Sequence, residues 1–135
     1  MGKLSELRSC RYFSDLDEID LALLTTVLQM RSLQRNEMLF SAGQPSDALL
    51  VIKQGQISIL ETIFTEGEPL CEVALLGPTF HLVDAKVTSP EAVLWSLSHQ
   101  AFTRLLKVRP TLAARMLRNI GLQLHQRVHQ TMSLQ

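Results

Sequence analysis

Apolar residues between positions 14 and 28 recur every three or four residues, the spacing that places side chains on one face of a helix. The stripe comprises Leu16, Ile19, Leu23, Leu24 and Val27. Ser14 has a side chain suited to capping a helix, and the acidic residues that follow it suit the positive end of the helix dipole. The pattern predicts an amphipathic helix that begins at Ser14 and packs this stripe inward.

Beyond Met30 the apolar residues form short runs instead of a helical stripe. The runs occupy residues 38–40, 48–52, 57–60, 71–75 and 92–97. Residues that favour turns separate them, as in Gly43-Gln44-Pro45 and Gly77-Pro78. Several short strands divided by turn signals are typical of an all-β roll or barrel.

Helical features return near Ser98, which can cap a short helix that runs to Leu106. Pro110 then suits the first turn of a second helix, which we expect to continue to about Met132. The sequence therefore predicts one domain, residues 1–135, with three regions. These are N-terminal helices over 1–30, a β-roll over 31–98 and C-terminal helices over 99–135.

The last predicted helix carries apolar residues four positions apart: Met116, Ile120, Leu124 and Val128. The early part of this stripe has the chain's own roll to pack against. The later part lies far along a helix that leaves the roll, and an apolar surface in that position favours a partner. We predict that this stripe forms a homodimer interface or a contact with another protein.

Composition limits the class of protein. The 135 residues suffice for one domain, with 46% hydrophobic and 19% charged residues, which is ordinary for a globular chain. No apolar run approaches the ~20 residues that a membrane-spanning helix requires, and the first residues lack a signal-peptide pattern. Cys10 and Cys71 lie far apart without metal-ligand spacing, which favours a reducing compartment. We expect a cytoplasmic protein with no membrane contact.

The charges are unevenly placed along the chain. All 13 acidic residues lie at or before Glu91, whereas six basic residues and no acidic residue follow it. One interpretation is a basic face for an acidic partner or nucleic acid. The other is that the basic C-terminal region folds back onto the acidic helix near Asp15. We favour the second, because six scattered cations form a weak nucleic-acid footprint.

The segment from Leu39 to Ile59, LFSAGQPSDALLVIKQGQISI, has an apolar pair, a glycine-containing turn, an aspartate, an apolar strand, then a glycine and another strand. It resembles the opening strands of the cyclic-nucleotide-binding domain family, which includes the catabolite activator protein and kinase regulatory subunits. The resemblance implies a mainly β fold with flanking helices. That fold is a double-stranded β-helix, or jelly-roll barrel, with N-terminal helices and a long C-terminal helix.

Members of this family hold the cyclic phosphate with a helix-bearing cassette: Phe-Gly-Glu, a small apolar stretch, then Arg, a small polar residue and Ala. We compare the cassette with residues 77–87, GPTFHLVDAKV, where the helix itself is missing from the pattern. The positions to compare are Phe80, His81, Leu82, Val83, Asp84, Ala85 and Lys86. In this alignment His81 replaces the glycine, Leu82 the glutamate and Val83 the arginine, and Asp84 would repel a phosphate. Only Lys86 and His81 remain as cations, so we expect no cyclic AMP or cyclic GMP binding in the family's manner.

The remaining candidate chemistry is sparse. His125 and His129 stand four apart on the last helix without a third ligand, so we predict no metal site. No nucleophile motif or nucleotide fingerprint is present, so we expect neither an enzyme nor a cofactor. The chain also ends without the helix-turn-helix of the DNA-binding relatives, so we expect no nucleic-acid contact through it. These expectations favour a non-catalytic regulatory or scaffold module that acts through protein contacts or dimerisation. The alternative is a small-molecule sensor that binds a cyclic nucleotide or another ligand through altered contacts, or a fragment of a transcription regulator.

Overall fold

The structure, a computed structural model, describes residues 2–133. Four helices are present in that range: α1 (Gly2–Leu7), α2 (Glu18–Val27), α3 (His99–Val108) and α4 (Pro110–Ser133). The strands between them are β1 (Gln29–Gln34), β2 (Met38–Phe40), β3 (Pro45–Ser46), β4 (Ala48–Gln54), β5 (Ile57–Ile59), β6 (Thr62–Phe64), β7 (Pro69–Leu70), β8 (Thr79–Phe80), β9 (Ala85–Val87) and β10 (Glu91–Ser98). A single-turn 3-10 helix, Glu72–Leu75, lies between β7 and β8.

The strands pair antiparallel in two four-stranded sheets and one short ribbon. The first sheet has the order β1-β10-β4-β7 and the second the order β2-β9-β5-β6, while β3 pairs with β8. The two sheets enclose an apolar interior that includes Ile52, Ile57, Val87 and Leu94. The predicted mainly β roll with flanking helices is confirmed.

The central strands β4 and β10 are buried on both faces. Leu50 and Ile52 of β4 lie in the interior of the roll, whereas Leu49 and Val51 belong to a second core beneath the helices. β10 alternates in the same way, because successive side chains of a strand point to opposite faces. Burial on both faces explains why these two strands appear in the sequence as unbroken apolar runs.

A close approach and an irregularity occur where β4 ends beside β10. Gly55 has φ +98, and a Cβ there would clash with the carbonyl oxygen of Glu91. The pairing of β10 with β4 also shifts register between Val93 and Leu94. Glycine is therefore required at this turn for two reasons, its backbone conformation and the space available.

The first long helix begins later than the sequence pattern predicts. Asp17, not Ser14, is its N-cap, and the Asp17 carboxylate accepts a hydrogen bond from the Asp20 amide at 2.8 Å. The Ser14 hydroxyl instead donates to the Arg11 carbonyl. The inward face also differs from the predicted stripe, because Leu21 and Leu24 are buried whereas Ile19 is 70% exposed.

One predicted strand was wrong, and strand β1 was not predicted. Within the run 71–75, Glu72–Leu75 form the 3-10 helix instead of a strand, because Cys71 before it takes the left-handed conformation with φ 66 and turns the chain. Strand β1 escaped detection because only Leu33 among its six residues is buried. An edge strand of this kind lacks the apolar alternation by which strands are detected.

The C-terminal helices match the prediction closely. The Ser98 hydroxyl caps α3 by accepting from the Ala101 amide at 3.0 Å, and Pro110 is the first residue of α4. Arg109, between the two helices, forms an ion pair with the buried Asp20 of α2 at 2.5 Å. The basic C-terminal region therefore folds back onto the acidic helix at this contact, as the favoured interpretation of the charge pattern predicts. None of the helices within residues 2–133 has the length and hydropathy that crossing a bilayer requires.

Candidate functional site

The 3-10 helix gives the sequence Leu70-Cys71-Glu72 a geometry of its own. Cys71 has φ 66 and ψ 34, a left-handed conformation that favours glycine, and Glu72 begins the short helix. Ala74 and Leu75 of this turn are buried. The helical turn of the cassette, which the sequence comparison predicted to be missing, is therefore present at Glu72–Leu75, before the segment 77–87 that was aligned with the cassette. An apolar residue, a left-handed residue and a glutamate before a short apolar helix match the Phe-Gly-Glu cassette better than Phe80, His81 and Leu82 do.

Glu72 is held by the C-terminal helix. Its side chain is buried, with a relative exposure of 5%, and Oε1 accepts a hydrogen bond from Nη1 of Arg127 at 2.5 Å. Arg127 lies on α4, 55 residues along the chain, and half of its side chain is exposed. A buried carboxylate is costly unless it is paired and hydrogen-bonded. The pair therefore joins the cassette turn to α4 and occupies the carboxylate.

Tyr12 lies within electrostatic reach of this ion pair. Its side chain is completely buried, and its hydroxyl has no hydrogen-bond partner among residues 2–133. Burial raises the pKa of Tyr12 well above its usual value, and the charge of Glu72 raises it further, whereas Arg127 opposes the shift. The phenol is therefore neutral and remains a hydrogen-bond donor across the physiological pH range.

The segment from Phe80 to Lys86 does not converge on one site. Phe80 and Leu82 are largely exposed, at 63% and 89%, and the Asp84 carboxylate accepts from the Ala42 amide at 2.8 Å. Ala85 is buried in β9, so Lys86, the next residue of the strand, points away from the interior and is exposed. Lys86 lines an outer groove together with Val83 and Asp84. His81 is the member of this segment that reaches the mouth of the roll.

The His81 ring stacks on Phe40, with ring centroids 3.7 Å apart and planes 9° from parallel. Beside them lies a pocket of about 230 Å³, smaller than the ~300 Å³ at which ligand pockets usually begin. Arg31 and Asp47 also line it, and Arg31 donates to the Leu39 carbonyl at 3.3 Å. Burial lowers the pKa of His81, while Asp47 acts in the opposite direction. Arg31 is thus the cation of this pocket, which it shares with Asp47, since a lowered pKa favours neutral His81.

The side chains of Cys71 and His81 lie close together, with the Cys71 Sγ and the His81 Nδ1 3.8 Å apart. Burial raises the pKa of the Cys71 thiol to about 11, and Glu72 adds to the increase, whereas Ser46 opposes it. The thiol is therefore protonated at neutral pH, unlike the thiolate that nucleophilic catalysis requires. Within residues 2–133, no three His, Cys, Asp or Glu side chains are grouped as metal ligands would be.

The predicted interface stripe on α4 divides into two parts. Met116 and Ile120 are buried in the chain's own helical core, so their side chains are not available to a partner in the single chain. They are buried because the first turns of α4 pack against α3, and Asn119 of α4 donates to the Tyr12 carbonyl. Leu124 is half-buried against the same core, and Val128 is 58% exposed. The free part of the stripe is therefore its C-terminal end.

The family model described as the cyclic nucleotide-binding domain matches residues 30–109, more than half of the chain. The chain belongs to this family. Among solved structures, the N-terminal domain of a transcriptional regulator from Streptomyces coelicolor A3(2) superposes with a TM-score of 0.82 and 24% identity, covering 93% of this chain and 94% of that one. At that identity the likeness establishes the fold alone. The helices around the roll thus belong to the same arrangement as in other cyclic nucleotide-binding domains.

Two further relatives bear on function. The regulatory subunit of a cAMP-independent protein kinase A from Trypanosoma brucei is 26% identical, with a TM-score of 0.67, over 76% of this chain and 40% of that one. A variant of that subunit, with one glutamate changed to alanine, one threonine to arginine and one valine to alanine, was solved with cAMP in its A site. An uncharacterised NTE-family protein of Mycobacterium tuberculosis is 25% identical over 126 residues, which cover 89% of this chain. This cyclic nucleotide-binding domain spans only 21% of the length of that relative.

Sequence reasoning missed Glu72, Arg127 and Arg31. The first was overlooked because cysteine stands at the position where the family has glycine, which hides the motif. A left-handed residue followed by a glutamate and an apolar turn was the available signal, although no residue preference reveals a positive φ at cysteine. Arg127 and Arg31 come from distant parts of the chain, and only the fold brings Arg127 to Glu72 and Arg31 to the pocket beside His81.

Proposed function

We propose that the chain is a non-catalytic regulatory module that acts through protein contacts, and that its pocket does not bind cyclic AMP or cyclic GMP in the family's manner. The observation that carries the proposal is the charge of the pocket, because Arg31, the arginine that lines it, shares the lining with Asp47 and already donates to the Leu39 carbonyl. The Glu72–Arg127 ion pair adds to this, because it occupies the cassette carboxylate from within the chain. A nucleotide that used Glu72 would have to displace Arg127 first.

The electrostatics of the pocket support the same proposal. A cyclic phosphate needs a cation or several amide donors, since an unpaired buried anion costs several kcal/mol or more. Arg31 and Asp47 both line the pocket, and the Arg31 guanidinium already donates to the Leu39 carbonyl. The Trypanosoma variant supports this proposal too, because that cAMP-bound form of the kinase subunit carries an added arginine.

Titration calorimetry with cyclic AMP and cyclic GMP tests the ligand part. We expect no binding tighter than about 1 mM, which corresponds to about −4 kcal/mol. The variant Arg127→Ala frees Glu72 but adds no phosphate cation, so it should remain without binding. Micromolar binding by the natural chain that Arg31→Gln abolishes would instead support the small-molecule sensor. Binding gained in Arg127→Ala would show that the ion pair, not the missing cation, excludes the nucleotide.

Exposed apolar side chains support the protein-contact part. Val73, Leu76, Phe80 and Leu82 are each between 47% and 89% exposed within a stretch of ten residues that begins at the cassette turn. Val128 adds exposed apolar surface on α4, which continues to Ser133 beyond its last buried residue, Ile120. Large exposed apolar groups close together are typical of interaction surfaces. The two cysteines are free, which supports the proposal of a reducing, cytoplasmic setting.

Sedimentation velocity tests the contact through α4. If a second copy pairs with this helix, the natural chain should sediment as a dimer and Val128→Asp as a monomer. Gln126→Asp is the matched control, because Gln126 is exposed on the same helix about half a turn away. A natural chain that stays monomeric at high concentration would exclude the homodimer and leave the surface around Phe80 and Leu82 for a different protein.

A further inference from the structure

A second concavity lies on the helical side of the domain, away from the barrel pocket. It is a groove of about 420 Å³ between the end of α2 and the exposed side of α3, within the ~300–1,000 Å³ range of small-molecule sites. Its lining residues are Leu23, Thr26, Val27, Leu28, Gln29, Ser98, Ala101, Arg104, Leu105 and Val108.

The walls of the groove are mostly apolar. Leu105 and Ala101 are buried at its base, Val27 and Leu28 are half-buried, and Val108 is 69% exposed at its edge. Water in such a groove contacts hydrocarbon on several sides. An alkyl chain that replaced this water would gain about 0.8 kcal/mol for each buried methylene.

Arg104 gives the groove its charge. It is the charged residue among the lining side chains, and no carboxylate lines the groove. Arg109 and Arg127 each bind a buried acid, whereas the Arg104 side chain has no hydrogen-bond or ion-pair partner within residues 2–133. Thr26 and Gln29 add neutral polar groups at the rim. A guanidinium matches a carboxylate with two parallel hydrogen bonds.

We propose that this groove binds an amphiphilic monocarboxylate, with its alkyl chain against Val27, Leu28 and Leu105 and its carboxylate on Arg104. A nucleotide does not fit this description, because no aromatic ring lines the groove on which a base could stack. The groove also lies next to the Asp20–Arg109 pair, which ties α2 to the junction of α3 and α4. A ligand between α2 and α3 therefore has a direct route to the orientation of α4.

Decanoate is a suitable probe, at concentrations where it is monomeric. In a two-dimensional 15N NMR titration we expect saturable shifts for amides of α2 and α3, together with a higher melting temperature. Arg104→Gln should weaken decanoate binding roughly tenfold through the loss of a charge-assisted contact at an exposed site, and leave decanol unaffected. Arg115→Gln is the control, because Arg115 is an exposed cation of α4 that does not line the groove.

A second variant tests the apolar wall without disturbing the core. Val108→Asn places an uncharged polar group at an exposed edge position, and it should weaken decanoate and decanol alike. Several results would overturn the proposal: no saturable binding, unchanged decanoate affinity in Arg104→Gln, equal affinity for decyltrimethylammonium, or shifts confined to the surroundings of Phe40 and His81. The last result would assign the ligand to the barrel pocket instead.

Discussion

The Glu72–Arg127 pair offers the sharpest test of how the helical and barrel parts are joined. Replacing Arg127 by methionine keeps most of the aliphatic stem of the side chain but removes its charge. Glu72 then stays buried, with its side chain 6% exposed and without the guanidinium that donates to it. An unsatisfied buried group costs about 1–3 kcal/mol. We expect about 1.5 kcal/mol, because half of the Arg127 side chain is exposed and water can reach the vacated position.

For a domain of this length, a loss of that size lowers the melting temperature by about 5 °C. Urea unfolding of four proteins measures the coupling: the natural chain, Arg127→Met, Glu72→Gln and the double variant. The double variant should be about 1 kcal/mol more stable than the two single losses predict together, since removing both partners leaves no buried charge. Arg118→Met is the control, because Arg118 is an exposed cation of the same helix without an ion pair among the described residues.

Two results would refute this reasoning. One is an Arg127→Met loss no larger than that of Arg118→Met. The other is a coupling energy below ~0.3 kcal/mol, which is the level at which independent sites already add. Either would mean that water satisfies Glu72 as well as Arg127 does, and that α4 is held by its other contacts, such as its apolar packing and the Asn119 hydrogen bonds.

Three further predictions concern the backbone and the thiols. Gly43→Ala should cost about 1–2 kcal/mol of unfolding free energy for its positive φ alone, since a Cβ there meets no neighbouring atom, whereas Gly55→Ala should cost clearly more because its Cβ also clashes with Glu91. Equal losses of the two variants in urea unfolding would contradict the clash. Gly121→Ala should stabilise α4 by about 1 kcal/mol, because a Cβ meets no atom there, and a fall in melting temperature would mean that Gly121 is needed in an assembly. Burial raises the pKa of both Cys10 and Cys71 from 9.0 to about 11. The buried thiols should therefore contribute fully to the free energy of unfolding below pH 9, and this free energy should fall as pH rises towards 11, with a smaller fall in Cys10→Ala.

The sequence was informative where residue type and position determine structure locally. Ser98 and Pro110 marked the starts of α3 and α4, because a hydroxyl cap and a residue without an amide hydrogen suit those positions. The runs over 48–52 and 92–97 revealed β4 and β10, since strands covered on both faces are continuously apolar. The glycine-containing segment from Leu39 to Ile59 indicated the family.

The remainder depended on contacts that no local pattern encodes. Cys71 adopts a conformation that cysteine does not favour, so the sequence comparison placed the start of the cassette at Phe80, ten residues after Leu70. The Glu72–Arg127 contact spans 55 residues, and the burial of Met116 and Ile120 depends on how α4 packs in the helical core. A helical stripe shows that a face is apolar but not whether the chain's own core or a partner covers it.

The double burial of β4 has a consequence for the fidelity of strand pairing. In most sheets a slip by one residue is prevented because it would turn polar side chains inwards. In β4 a slip would only exchange Leu49 and Val51 for Leu50 and Ile52, one set of aliphatic groups for another. Alignment with β10 must then be fixed at the end of the strand, where Gly55 alone admits the Glu91 carbonyl and where the register shift at Val93 begins. The absence of a side chain at Gly55 would thus determine which residues of β4 face the interior of the roll and which face the core beneath the helices.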